Sequence, residues 1–247
     1  MAATANEPIH ATVKLVGREE VAERTSSFRF EKPPGWTFKS GQTVDITLLN
    51  PPETDAEGNT RTFSIASAPD ENTLMIATRM RDSAFKRTLG AMPLGTEVKI
   101  EGPFGNFLLH NNPAKTAVLL AGGIGVTPFR SMVFRAANEK LPHRIFLFLS
   151  NRRPEDAAFL KELEALEKQN PNYKLIATMT GMEKSSRPWQ GETGLIDKDM
   201  LSRHVKDSPS PIYYIAGPPG MVKGLRMVLK ASGVDSDDIR TEEFTGY

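Results

Sequence analysis

The period of the apolar residues changes once along this chain, at the polar link His110-Asn-Asn-Pro-Ala-Lys115, and that change limits the folds open to it. Before the link, short runs at Ala11–Val16, Thr25–Phe30, Thr43–Leu49, Thr62–Ile65, Thr73–Arg79 and Glu97–Glu101 are separated by Pro, Gly, Asn and Asp. Strands at such spacing predict a small antiparallel barrel or sandwich. Ser83–Leu89 reads as a short helix between two of them. After the link, the runs Ala117–Ala121, Arg144–Ser150, Lys174–Thr180, Ile212–Ala216 and Ile239–Phe244 alternate with helical patterns over 128–139, 155–168 and 219–231. Strand–helix alternation predicts a doubly wound parallel sheet. The expectation is two domains, residues 1–112 and 113–247.

Composition removes several function classes. The 31 basic and 30 acidic residues leave a net charge of +1, which gives no global field for a nucleic acid or a membrane surface. No apolar run approaches the length of a membrane span, and no membrane insertion is expected. The opening residues MAATANEPIHATVKL lack a charged region followed by an apolar one, so no signal peptide and a cytoplasmic location are expected. The sequence has no cysteine, so it holds no disulfide, thiolate zinc site, catalytic thiol or cysteine-ligated iron–sulfur cluster. His10, His110, His143 and His204 are scattered, and no metal site is expected.

The densest local signal is Ala121-Gly-Gly-Ile-Gly-Val-Thr-Pro128. It follows an apolar strand and opens onto a pattern with Phe129, Met132, Val133, Ala136 and Ala137 on one face. Thr127 suits an N-cap and Pro128 the first helical position. A turn with few side chains at a helix start lets backbone N–H groups close on phosphate. Gly122, Gly123, Gly125, Val126, Thr127 and Pro128 are therefore candidate nucleotide-binding residues. A plain strand–helix turn is the competing reading. Ala216-Gly-Pro-Pro-Gly-Met221 is a second such turn, ending a neighbouring strand, with Gly217, Pro218 and Met221 as candidates. In open parallel sheets both would face one crevice beyond the carboxyl ends of the strands. Ser150-Asn-Arg-Arg153 ends the next strand. A hydroxyl with guanidiniums there suits a 2′-phosphate better than a free ribose, so Ser150 with Arg152 or Arg153 points to NADP(H) over NAD(H). The sequence does not separate the two arginines, and a solvated basic turn is the alternative.

Together with Arg61-Thr-Phe-Ser64, these motifs make the chain resemble the ferredoxin–NADP reductase-like flavoprotein superfamily over almost its whole length. Phe38-Lys-Ser-Gly-Gln42 and Gly102-Pro-Phe-Gly105 resemble segments flanking the flavin barrel. The resemblance implies a Greek-key barrel binding FAD, with Arg61 and Thr62 at the flavin phosphate side, Phe63 stacked on the ring and Ser64 near the atom that receives a hydride. It implies that Ile76, Ala77 and Thr78 line the ribityl and adenosine side. Ser83, Ala84, Phe85 and Lys86 then cradle the pyrophosphate, although the family's usual Gly-x-x-Ser is missing. Glu242 would lie near the nicotinamide, and Phe244 or its rival Tyr247 would cover the second flavin face. Thr180, Gly191 and Gly194 resemble a segment beside the nucleotide. Ala216 stands where many relatives have cysteine.

The function implied is an NAD(P)H-dependent flavoprotein reductase that passes electrons from FAD to a separate acceptor such as ferredoxin, flavodoxin or an oxygenase component. A reductase of free flavin, quinone or ferric complexes is an alternative. A non-catalytic FAD electron-transfer subunit is another, against which the intact loop 122–128 argues.

Overall fold

The computed structural model describes residues 8–245. The first half forms β1 (Ile9–Ala22), β2 (Thr25–Glu31), β3 (Thr43–Leu48), β4 (Thr60–Ser64), β5 (Thr73–Arg79), α1 (Ala84–Ala91) and β6 (Glu97–Phe104). The strands pair antiparallel in the order β4-β3-β6-β1-β2-β5, a Greek-key arrangement in which the late β6 returns to lie beside β1. Alternation sets the inner face. Along β3, Val44, Ile46 and Leu48 are buried while Thr43, Asp45 and Thr47 are only half-buried. They meet Phe28, Phe30, Ile76 and Ile100 in one apolar core inside the barrel. Ser83 caps α1, its hydroxyl accepting from the Lys86 N–H.

The second half forms β7 (Ala117–Gly122), α2 (Val126–Asn138), β8 (Ile145–Asn151), α3 (Leu160–Leu166), β9 (Tyr173–Met179), β10 (Glu192–Thr193), α4 (Lys198–Val205), β11 (Ile212–Gly217), α5 (Pro219–Ala231) and β12 (Ile239–Glu243). The strands run parallel in the order β10-β9-β8-β7-β11-β12. Every residue of β7 and β11 is buried, as central strands covered on both faces must be. From β7 the chain winds outward through β8 to β10, then crosses back to β11. The topological switch point therefore lies between β7 and β11.

Three local expectations are corrected. The predicted helix over 155–168 survives only as α3. Pro154–Asp156 is a 3-10 turn, and Phe159 sits at φ +64°, which interrupts the helix. Glu155 and Asp156, at the start of the expected helix, bond to other parts of the chain instead. Glu155 accepts bonds from Ser185 and Ser186, and Asp156 pairs with Arg153. α2 begins at Val126, because Gly123–Gly125 forms a 3-10 turn that runs straight into it. Thr127 is thus inside the helix rather than its cap, and its hydroxyl donates to Ile124 O at 3.0 Å. Pro128 accordingly lies past the first helical position. The short β10 and α4 had no counterpart in the sequence reading.

The two halves are bolted together. Arg130 on α2 is 4% exposed. It donates to Ala66 O (2.8 Å) and to the carboxylates of Glu71 on the barrel side and Glu162 on α3. Burial opposes its charge, but those two carboxylates outweigh burial and raise its pKa. Ser131 Oγ donates to Ser67 O at 2.6 Å, and Ser40 Oγ donates to Ser131 O at 3.1 Å. In the connecting segment, the His110 N–H donates to the Tyr214 hydroxyl at 2.8 Å. This junction fixes how the barrel edge faces the switch point.

Candidate functional site

The two glycine turns lie against each other at the switch point, as the pairing of Ala121 with Ala216 requires. A Cβ on Gly122 would meet Met221 Sδ at 2.3 Å and Pro218 Cδ at 2.9 Å. A Cβ on Gly125 would meet Ala216 O at 2.2 Å. These glycines therefore let the turns after β7 and β11 pack together, which is a structural use beside any ligand contact. The side chains of Val126, Thr127 and Pro128 are buried, so they offer a ligand only the backbone at the start of α2. Gly123 remains half-exposed at the mouth.

Beyond these turns opens a cleft of about 810 Å³ lined by Gly122, Gly123, Ser150, Arg152, Pro218 and Met221. Thr180 and Leu195 extend it along the sheet, and Arg79 and Arg81 enter it from the barrel. The structure distinguishes the two adjacent arginines. Arg153 is tied to Asp156 (2.8 and 3.0 Å) and reaches across the junction to Glu23 (2.8 Å). Its carboxylate partners raise its pKa. Arg152 is exposed and lines the cleft. A second cleft of about 680 Å³ adjoins it, sharing Arg79, Arg81, Arg152 and Thr180 and adding Arg24 and Lys184 along with the acids Glu23, Asp156 and Glu183. The barrel arginines were not found by sequence reasoning. Their only signal was the unusual Thr-Arg-Met-Arg81 run at the end of β5.

On the other side of the turns, β12 places Glu242 in register with Ala216. Its side chain faces Ser64 of β4, whose hydroxyl favours the charged form of the carboxyl. Burial pushes the Glu242 carboxyl up to about 7, with Ser64 pulling the other way. Its Oε2 is buried and has no hydrogen-bond partner. A buried polar atom without a partner is uncommon and fits a ligand group that would complete it. The Phe244 N–H donates to Gly217 O at 3.0 Å, which brings that half-buried ring to the same end of the sheet. Tyr247 lies outside the described residues.

The remaining flavin-side candidates divide by where their side chains point. Phe63 is half-buried at the barrel rim, 5.9 Å from Phe85. Phe85 itself is a core residue of the barrel, as is Ile76, while Ala77 faces the junction core. Ala84 and Thr78 are also buried. For these residues the expected cradle reduces to backbone. Thr62 is exposed and donates to Asp45, away from Ser64. Arg61 lies over the Phe85 ring at 5.2 Å. Lys86 is half-buried at the first turn of α1; burial lowers its pKa, and the charges of Arg81 and Arg61 lower it further. The ring end thus fits a flavin. At the phosphate end, Arg61 is bonded to Asp55 and Glu57.

A Greek-key barrel docked on a doubly wound sheet, with glycine turns at the switch point and a cleft beyond them, is a two-domain architecture whose switch-point crevice suits a dinucleotide. The family described as oxidoreductase NAD-binding domain matches residues 119–227. The glycine betaine monooxygenase reductase subunit of Chromohalobacter salexigens is 30% identical over 224 residues, covering 90% of this chain and 60% of that protein. The chain therefore spans less than two thirds of that relative's length. A cytochrome P450 reductase from Amycolatopsis superimposes with a TM-score of 0.81 at 19% identity, covering 97% of this chain and 71% of the other. A ferredoxin–NADP+ reductase from Neisseria gonorrhoeae, solved with FAD and NADP, superimposes with a TM-score of 0.77 at 20% identity, covering 95% and 98%. The chain thus shares the fold of these two-domain reductases and carries the oxidoreductase NAD-binding domain over residues 119–227. Among the described residues, no helix is long and apolar enough to cross a membrane.

Proposed function

We propose that this chain is a flavin-dependent NAD(P)H oxidoreductase that draws reducing equivalents from a nicotinamide nucleotide and passes electrons to an acceptor outside this sequence. The observation that carries the reading is the Ser64–Glu242 contact. It joins the barrel's flavin signature to the strand beside the nucleotide turns. FAD is the flavin that the family resemblance implies, and a bound flavin would supply the redox chemistry. The protein's part is to position two rings and exclude water. Phe63 offers an aromatic face, Ser64 and Glu242 hold a proton at the ring edge, and Phe244 closes the opposite side. The junction around Arg130 keeps the two seats in fixed relation. An oxygenase component is the favoured acceptor, because the glycine betaine relative is named as a monooxygenase reductase subunit.

NADP(H) is favoured over NAD(H), with Arg152 as the 2′-phosphate partner and Arg153 as a junction residue. Arg152→Ala is expected to lower the NADPH/NADH preference by about tenfold, the loss of one charge-assisted contact. Arg153→Ala is expected to leave that preference unchanged and to lower the melting temperature instead, since it cuts the links to Asp156 and Glu23. The whole reading is tested by anaerobic titration of the flavin-loaded chain with NADPH and with NADH. Loss of the yellow absorbance with either nucleotide is expected. No bleaching with both would leave at most a passive electron carrier.

A further inference from the structure

The first turn of α1 and the Arg61 guanidinium have the makings of a phosphate seat, a helix N-terminus beside a fixed positive charge. Both are occupied by the chain itself. Asp55 Oδ1 accepts from Arg61 Nη2 at 3.0 Å, and its Oδ2 accepts from the Ala84 N–H at 3.1 Å. Glu57 Oε2 pairs with the same Nη2 at 2.9 Å. Arg61 Nη1 donates to the carbonyls of Glu57, Gly58 and Thr60 at 2.8, 3.0 and 2.8 Å. Glu53 accepts from Arg87 Nε at 2.8 Å, which pins the same loop further along. Burial works against the charge of Asp55. The N–H groups of Glu57 and Ala84 together with Arg61 outweigh it, and the carboxyl stays below its ordinary range. One carboxylate thus bridges a guanidinium and a helix N-terminus, the pair of contacts a bound phosphate would make. Lys86 and Arg81 add positive charge around the same turn.

We propose that Asp55 determines flavin selectivity: its carboxylate stands in for a flavin phosphate, so the barrel holds flavins by the ring and binds riboflavin, FMN and FAD with similar strength. This rests on the flavin reading above. An incoming phosphate displaces Asp55 and meets Glu57, so the bonds it makes are offset by bonds broken and by like-charge repulsion. The ring is held elsewhere, by Phe63 and Ser64 further along β4 and by Glu242 on β12. Flavin is then an exchangeable ligand rather than a permanent one.

The test is titration of the full chain with riboflavin, FMN and FAD, followed by quenching of flavin fluorescence. The three affinities are expected within about tenfold of one another. Asp55→Asn is expected to tighten FMN and FAD by about tenfold and to leave riboflavin unchanged. A wild-type preference for FAD over riboflavin above about a hundredfold, or an Asp55→Asn variant that binds FAD no tighter, overturns the assignment. If Asp55→Asn also loses riboflavin, Glu57→Gln decides, because it leaves the Asp55 bond to Ala84 in place. A gain of about threefold for FMN and FAD but not riboflavin supports the proposal, and no gain overturns it. A wild-type chain that binds none of the three flavins removes the flavin reading and this proposal together. Tight FAD with weak riboflavin removes only the role of Asp55.

Discussion

Gly125→Ala is expected to destabilise the chain by roughly 3 kcal/mol and to abolish nucleotide binding. The added methyl would lie 2.2 Å from Ala216 O, 2.5 Å from Ala216 C and 2.8 Å from Gly217 N. All three are backbone atoms, so no side chain can swing aside. The ends of β7 and β11 must part, and they are adjacent interior strands of the parallel sheet. Their separation also displaces Gly122 and Gly217, which lie so close at the switch point that a Cβ on Gly217 would meet the Gly122 backbone at 3.1 Å. Gly220→Ala is the matched control. Nothing lies within 4 Å of its Cβ position, and the residue sits in the first turn of α5. That variant is expected to melt at or slightly above the wild-type temperature, because alanine limits the unfolded chain. Thermal denaturation of both variants checks the pair. Equal melting temperatures for Gly125→Ala and wild type would mean that the turns do not pack as described.

What the sequence made legible follows from which interactions are local. The parallel strands and α5 could be read from apolar period because their burial is continuous or one-faced. The 219–231 helix pattern matches α5 residue for residue. The 155–168 helix misled because Glu155 looked like a helix-start residue, whereas its partners, Ser185 and Ser186, lie about thirty residues away. α4 did leave a trace: Asp197 accepts from the Met200 N–H at 2.8 Å, and Met200, Leu201 and Val205 form its buried face. At the site, the glycine turns were visible but their tight mutual packing was not. Arg152 and Arg153 are identical in sequence terms. Only the fold, by bringing Glu23 and Asp156 to one of them, tells them apart. Likewise Asp55 reads as an ordinary loop acid until the fold sets it on Arg61 and Ala84.

Glu242→Gln is expected to remove a pH dependence centred near 7 from both stability and flavin reduction. Burial raises this carboxyl from 4.5 to about 7. The folded protein therefore holds more protons than the unfolded chain between those values, and stability falls as pH rises across that window. The contribution is fully present below pH 4.5 and gone above about 7. At full weight the shift corresponds to about 3 kcal/mol, and to about 2 once partial exposure of the group is allowed for. Glutamine keeps the size and cannot ionise, so the wild-type minus variant difference in unfolding free energy should decline by that amount from pH 4.5 to 7 and stay flat beyond. The same titration reaches function because Oε2 faces no protein partner and Ser64 holds the carboxyl toward the barrel. In its neutral form Glu242 can donate a proton at the ring edge, and above pH 7 it is an unpaired buried charge. Wild-type flavin reduction by NADPH is thus expected to slow as pH rises through 7, while Glu242→Gln runs slower and without that inflection. Ser64→Ala separates the two roles of the pair. With the hydroxyl gone the carboxyl loses the contact that favours its charge, so the inflection should move to higher pH rather than vanish. An unchanged inflection in Glu242→Gln would assign the titration to another group and leave Glu242 as a packing residue of β12.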